Sequence, residues 1–477
     1  MRFLGDGLTG AEGPAYHGGV RTRIIADVGR RTPGQDLSAA GRGLPIVGLL
    51  AAAILAFSPA LAAQHEGHMG MAPRTMTSAL FPGLPMSREG SGTSWQPDSS
   101  PVFAWHVPAG SWTLMIHGGA FLRYTSQDAS RAGTRGGRKL DAPNWVMIMA
   151  QPPRGERGGF LFRGMFSLDR LTEGGRGYPL LFQTGETWKG EALVDRQHPH
   201  DLISELSVSY GLSVGPNAGA FIYFGLPGEP ALGPPVFMHR ASSLSNPDAP
   251  LGHHLQDSTH ITFGVLTGGA RYKGLKLDAS VFTGREPDEN RFDFDRPRFD
   301  SWSVRLSLNP SDRVALQLSQ GFLHGPEALE PERDVRRTTA SLVLSRPLRT
   351  GADWTTTFVW GLNSSSGRAS THSLLADSEA SWGRASVYAR AEFVQREAHD
   401  LKLDELGDRI LPVSALTAGA AWRLGGGGGL RFLAGAQAMV YCVADDLALA
   451  YGKRPFSFEV YLRLSPPRVA GMEAMSH

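Results

Sequence analysis

The chain has 477 residues, 59 of them glycine and 32 proline, and no long apolar stretch follows residue 63, so a helical membrane anchor is excluded beyond that point. Lys and Arg total 47 against 45 for Asp and Glu, a net charge of +2 without a basic run, which argues against a nucleic-acid partner. A lone Cys442 excludes an internal disulfide framework and any CxxC metal or redox motif, and suits a small residue in a barrel wall.

The first element is an apolar run, Leu44-Pro-Ile-Val-Gly-Leu-Leu-Ala-Ala-Ala-Ile-Leu-Ala-Phe57, with Arg30, Arg31 and Arg42 before it and Ala60-Leu61-Ala62 after it. This is the pattern of a signal peptide with an A-x-A cleavage site over residues 1–62, too short for a spanning helix of roughly 20 residues. The glycine-rich first 27 or so residues suit an over-extended translation start. Residues 63–110, rich in Gly, Pro, Ser and Met without periodicity, are expected to form a disordered periplasmic arm.

From Ser111 the pattern becomes two-residue alternation. Trp112, Leu114, Ile116, Ala120, Leu122 and Tyr124 alternate with Ser111, Thr113, Met115, His117, Gly119 and Arg123. The same signature is clear over 301–308 and 456–464, and recurs at 206–212, 275–281, 314–322, 354–360, 387–393 and 416–424, each near the ten or so residues a tilted membrane strand requires. Short turns are expected at 152–158, 214–217, 272–274, 309–312, 347–351, 383–384 and 425–429. Longer segments separate them at 125–142, 170–200, 227–258, 285–298, 324–334, 363–370, 397–411 and 442–454. Short turns alternating with long loops favour an all-β transmembrane antiparallel β-barrel over a soluble β-sandwich.

The count is about 16 strands over residues 111–465, or 14 if the weakly patterned segments 143–151 and 217–226 are merged with neighbours. Residues 466–477 form a short tail, both termini are expected in the periplasm of a bacterial outer membrane, and outer-membrane lipid and the barrel assembly machinery are the implied partners. The polar phase of the strands puts His117, Arg123, Glu205, Lys276, Asp278, Arg305, Arg390, Glu392, Arg423, Glu459 and Arg463 toward the lumen. Their mixed signs suit a solvated ion-pair lining, and a selective filter would need them clustered at a constriction.

Loops 170–200 and 227–258 are rich in Pro, aromatic residues and Leu, and are expected to fold into the barrel mouth as a plug. Six of the 15 histidines fall in or beside them: His198, His200, His239, His253, His254 and His260, with Asp201, Asp257 and Met238 close by. Imidazole with carboxylate suits copper, zinc or nickel ions. The alternative is that these histidines bond loop carbonyls and carboxylates to hold the plug. Cleavage after Ala62 would leave Ala63, Gln64 and His65 first, an amine, amide and imidazole set for Cu(II) or Ni(II), with His68, Met69 and Met71 following as softer ligands.

Three functions remain open from the residues: a channel or metal-associated barrel that passes or binds a small solute or metal ion, copper favoured; a non-metal porin for small organic solutes; and an outer-membrane lipid hydrolase using Ser258 and His260. No G-x-S-x-G or third orienting residue accompanies that pair, so no catalytic residues are assigned and a non-enzyme is expected.

The phrases Asp195-Arg-Gln-His-Pro-His-Asp201, Gly225-Leu-Pro-Gly-Glu-Pro-Ala-Leu-Gly-Pro-Pro-Val-Phe-Met-His-Arg240, Gly252-His-His-Leu-Gln-Asp-Ser-Thr-His-Ile-Thr-Phe-Gly264 and Gly284-Arg-Glu-Pro-Asp-Glu-Asn-Arg291 resemble those of an uncharacterised bacterial outer-membrane β-barrel family with His-rich loops, over about residues 110–320. The resemblance implies a link to metal resistance. The Met/His arm looks like a reduced form of that on outer-membrane copper-resistance proteins, without their tandem Met-His repeats.

Overall fold

The structure, a computed structural model, describes residues 77–469 apart from 79, 82, 132, 134, 258–260, 350 and 428. The signal peptide, the segment with Ala63, Gln64, His65, His68, Met69 and Met71, and His260 with Ser258 lie outside the described residues.

Twenty strands are described: β1 (Trp105–Ala109), β2 (Trp112–Gln127), β3 (Gly137–Asp141), β4 (Asn144–Gln151), β5 (Gly158–Phe166), β6 (Tyr178–Trp188), β7 (Glu191–Gln197), β8 (Ile203–Gly215), β9 (Ala218–Gly225) and β10 (Val265–Tyr272). There follow β11 (Leu275–Phe282), β12 (Ser301–Ser311), β13 (Val314–Leu323), β14 (Val335–Arg349), β15 (Ala352–Ser364), β16 (Thr371–Trp382), β17 (Ala385–Glu397), β18 (Ile410–Gly427), β19 (Leu430–Val443) and β20 (Phe456–Ser465). Each barrel strand pairs antiparallel with the next, and β2 against β20, with Ala120 opposite Leu464, closes the ring. Strands β3 and β4 both pair with β2 and form one stave, broken at Ala142 and Pro143, while β6 and β7 form a separate hairpin and β1 only extends the foot of β2. The barrel therefore has sixteen staves. Both weakly patterned segments are separate staves, as β4 and β9.

Alternation decides the two faces. On β11, Leu275, Leu277 and Val281 are exposed while Lys276, Asp278, Ser280 and Phe282 are buried; the same phase holds on β12, where Trp302, Val304, Leu306 and Leu308 face out and Arg305 faces in. Trp112, Tyr272, Trp354, Trp382, Trp422 and Phe432 are exposed near the short-turn end, and Phe166, Phe224, Trp302 and Phe456 near the long-loop end. An apolar outer band between two aromatic girdles is the surface of a transmembrane barrel, because each ring can place an apolar body in hydrocarbon beside the polar interface. Cys442 is exposed on β19 as a wall residue.

The arm is where the structure departs most from expectation. The described residues between 77 and 104 are folded and mostly buried inside the barrel. They enter at the short-turn end, where the Arg154 guanidinium donates to Thr77 Oγ1 at 3.1 Å, and climb to mid-barrel, where Thr93 Oγ1 donates to Asp278 at 2.8 Å. They then return to the short-turn end, where Asn309 donates to the Gln96 carbonyl at 2.8 Å. Gly211 permits the close approach, since a Cβ there would lie 1.8 Å from the Leu80 carbonyl oxygen. The start of the C-terminal tail is also tied in: Ala104 N donates to Pro467 O, and the Arg468 guanidinium reaches Asp353 at 2.9 Å. Both described ends thus lie at the short-turn end.

Candidate functional site

Among the described residues, the arm, the β6–β7 hairpin and the connection between β9 and β10 are inserted into the lumen. The last crosses to the far wall. Ser245 donates through its amide and hydroxyl to Glu379 of β16 at 2.9 and 2.7 Å, Leu251 N donates to Glu392 of β17 at 2.6 Å, and Tyr461 of β20 donates to Ser245 O at 2.6 Å. The hairpin docks through Tyr178, Leu181 and Phe182 onto an apolar patch with Val394, Val413 and Tyr441 on the inner wall. Phe182 itself holds a φ of 65°, a strained value for a bulky residue, with its amide donating to Asp195 Oδ1 at 2.7 Å.

Most of the charged residues expected along the lumen face inward, but inserted backbone and side chains surround them where water was expected. Arg123 makes a bidentate contact with Asp141 at 3.0 Å, reaches Asp248 of the crossing loop at 2.7 Å, and lies 3.9 Å over the Tyr178 ring. Arg305 bonds Asp278 at 2.8 Å, Thr93 of the arm at 2.7 Å and the Gly233 carbonyl of the loop at 3.1 Å, and Lys276 reaches Asp278 at 3.1 Å. Arg390 pairs with Asp377 at 2.6 Å and donates to Asp248 O at 2.9 Å; Glu459 accepts from Gln437, and Glu205 from Tyr223. Arg463 lines a chamber, and half-buried Arg423 sits near the short-turn end. A buried ion pair keeps its charge only where such hydrogen bonds replace water, so these contacts lock the inserted segments to the wall.

The chamber left between the arm, the crossing loop and the β2–β4–β5 wall has a volume of about 130 Å³. Met115, Met147 and Met149 line its wall, Met86 comes from the arm, and Met238 and His239 from the loop. His117 and His239 have ring centroids 5.3 Å apart, and His239 lies 4.7 Å from Trp145. This methionine lining was not singled out from sequence. Its signal is there nonetheless: Met147 and Met149 are two residues apart on β4, and Met115 and Met165 also fall on inward phases.

The loop histidines divide. His239 goes to the chamber with His117. His200 turns to Asp169, with Nδ1 2.6 Å from the carboxylate. His198, which follows β7, meets His253 and His254 on a one-turn helix (His253–Gln256), and one ring nitrogen from each of the three lies within 4.8 Å of the others. His198 Nδ1 lies 3.1 Å from Glu186 and 3.2 Å from Pro199 O, His254 Nδ1 lies 2.9 Å from Glu286, and His253 Nδ1 lies 3.5 Å from Asp257. Arg291 pairs with Glu186 and lies 3.6 Å from Asp201, so Asp201 stands beside the cluster as a counter-charge.

Burial dominates the electrostatics of this cluster. It holds His198, His253 and His254 below the ordinary histidine range, with neighbouring histidines adding to the depression at His198 and His253, so all three are neutral near pH 7. Burial also raises Glu186, Asp201, Asp257 and Glu286 to about 7, against the opposing pull of nearby arginines. Three neutral imidazoles inside a ring of acids could hold a borderline metal ion; the chamber's thioethers and imidazoles could hold a soft one.

No protein-family model and no curated protein matches the chain. Among solved structures it is similar to in-vitro folded OmpT, an outer membrane protein of Vibrio cholerae, at 8% identity and a TM-score of 0.43, covering 76% of this chain and 99% of that one. It is also similar to OmpF of Salmonella typhi, in complex with daunomycin, at 10% identity and a TM-score of 0.46, covering 76% and 99%. The anion-selective porin from Comamonas acidovorans is similar at 11% identity and a TM-score of 0.42, covering 74% and 99%.

Proposed function

We propose that this protein is a bacterial outer-membrane channel for small solutes, with its described termini on the periplasmic side and a lumen held nearly closed by the arm and the crossing loop. The observation that carries this reading is the loop between β9 and β10, which spans the lumen and bonds Glu379 and Glu392 on the opposite wall. A segment so placed sets the pore radius, and the paired charges beside it set which solutes enter. A chamber of about 130 Å³ has room for several waters or an ion, and the crossing loop stands between it and the far wall. Proteoliposome swelling tests this. Intact protein should pass the smallest solutes slowly, and protein in which residues 230–257 are replaced by a short Gly-Ser linker should pass sugars. Equal swelling for both proteins would contradict it.

A second reading is passage or binding of a soft metal ion, copper among them, favoured by the methionine and histidine lining of the chamber. Thioethers and imidazoles suit Cu(I) and Ag(I) and offer little to hard cations. Ser258 and His260, the pair weighed for lipid hydrolysis, lie outside the described residues, and the channel reading assigns them no role.

A further inference from the structure

We infer that His198, His253 and His254 form a binding site for a divalent transition-metal ion of the Zn(II) class, which fastens the β6–β7 hairpin to the crossing loop. The ligands come from two separate inserted segments, one following β7 and the other the one-turn helix between β9 and β10. One ring nitrogen of each already lies within 4.8 Å of the other two. Metal–nitrogen bonds of about 2.0–2.1 Å in a tetrahedron bring such atoms to roughly 3.3 Å, a closure that small side-chain rotations supply.

Two further observations point to a ligand. The Nε2 atoms of His198 and His254 are buried and have no hydrogen-bond partner among the described residues, a costly state for a polar atom in a packed interior. In both rings the opposite nitrogen, Nδ1, is held by an acceptor: Glu186 and the Pro199 carbonyl for His198, and Glu286 for His254. An Nδ1–H donated to a carboxylate orients the ring and leaves Nε2 as the donor toward a metal, the arrangement that supports metal-bound histidines. Glu186 reaches its position with a strained φ of 60°. Arg291 and the surrounding acids give the site its charge balance, and a fourth ligand position is left for water or a carboxylate.

The site bears on the channel reading as a latch, because both segments it joins occupy the lumen, yet its existence does not depend on transport. The test uses the full-length mature protein without a histidine tag, purified in detergent and stripped of metal, in a His65→Ala/His68→Ala background that removes the competing N-terminal ligands. Titration with Zn(II) should show one equivalent bound at micromolar affinity or tighter. His198→Ala/His254→Ala should weaken that equivalent at least 100-fold, whereas His239→Ala should leave it unchanged, with heat-modifiable gel mobility reporting the folded barrel. Co(II) on the otherwise unaltered protein should give intense tetrahedral d–d bands, which decides the matter even if a histidine variant fails to fold. No binding at ten micromolar Zn(II), an equivalent retained in the double variant, or octahedral Co(II) bands alone would each overturn the site. Swelling or conductance on the same preparations reports separately on the channel.

Discussion

The backbone amide of Val236 donates to the Ser91 hydroxyl at 2.9 Å, and this bond joins the crossing loop, which enters from the long-loop end, to the arm, which enters from the short-turn end. The two plugs meet in the middle of the barrel. Around this contact Ser94 Oγ donates to Ser91 O, and Glu229 packs beside Gly92. Closure is therefore a property of two segments together, and freeing either should weaken the seating of the other.

The Arg305–Asp278 pair is the next point of leverage, since it holds Thr93 of the arm and Gly233 of the loop at one place on the wall. Asp278→Ala leaves the Arg305 and Lys276 charges without their carboxylate, a loss of about 3–5 kcal/mol for a broken buried pair. Because the barrel ladder is untouched, the expected outcome is an intact barrel with an undocked arm. Limited proteolysis should cut within residues 77–104 of the variant and not of the parent protein.

Gly211 gives a steric version of the same experiment. A methyl group there collides with the Leu80 carbonyl, so Gly211→Ala should displace the arm from the β8 wall. The Gly215→Ala control meets open space at its Cβ and should leave the arm protected. Hydrogen exchange over residues 80–96 distinguishes the two.

Glu229, in the loop where it meets the arm, has its carboxyl raised to about 8, chiefly by burial and against a hydrogen bond from Ser91. A carboxyl whose pKa is higher when docked than when released binds more protons in the docked state. Docking is therefore favoured at low pH and weakens as pH rises from the ordinary carboxyl range, near 4.3, through about 8. Channel openings should become more frequent as pH rises from about 4 to about 8, and Glu229→Gln should flatten that rise.

The soft-ion reading has its own test in the chamber. Met115→Leu/Met147→Leu/Met149→Leu keeps the side-chain volume, at a cost of less than about 1.5 kcal/mol per site, and removes three thioethers. Ag(I) binding measured by calorimetry should fall at least tenfold in this variant, with solute swelling unchanged. Equal Ag(I) binding in both proteins would remove the soft-ion reading.

Much of the barrel was legible because one physical rule governs it: a wall between lipid and an inner core must alternate. Leu275 to Phe282 and Trp302 to Leu308 show that alternation in sequence and in burial. The seven short turns fall between the staves expected, because turn residues interrupt the pattern abruptly. β4 and β9 were weak for a visible reason, since Met147 and Met149 on β4 and Phe221 and Tyr223 on β9 occupy inward positions that elsewhere carry polar groups.

The lumen was far less legible. The arm from Thr77 to Ala104 lacks periodicity because its order comes from the wall, through bonds such as Arg163 to Gly92 O and Asn309 to Gln96 O, and no local pattern encodes those. The histidine spacing suggested one loop cluster, whereas the fold sends His239 to Trp145, turns His200 to Asp169 at the edge of His198, and brings a ring nitrogen each of His198, His253 and His254 together. Which histidines meet depends on how the hairpin and the crossing loop dock, a long-range relationship that residue spacing does not carry.

The most direct measurement is single-channel conductance in planar bilayers of the intact protein beside the variant with residues 230–257 replaced by a Gly-Ser linker. Small or rare openings are expected from the intact protein and large, long-lived ones from the variant, because the crossing loop is what narrows the lumen between β9 and the Glu379 wall. Equal conductance in the two proteins, or none in either, would contradict it.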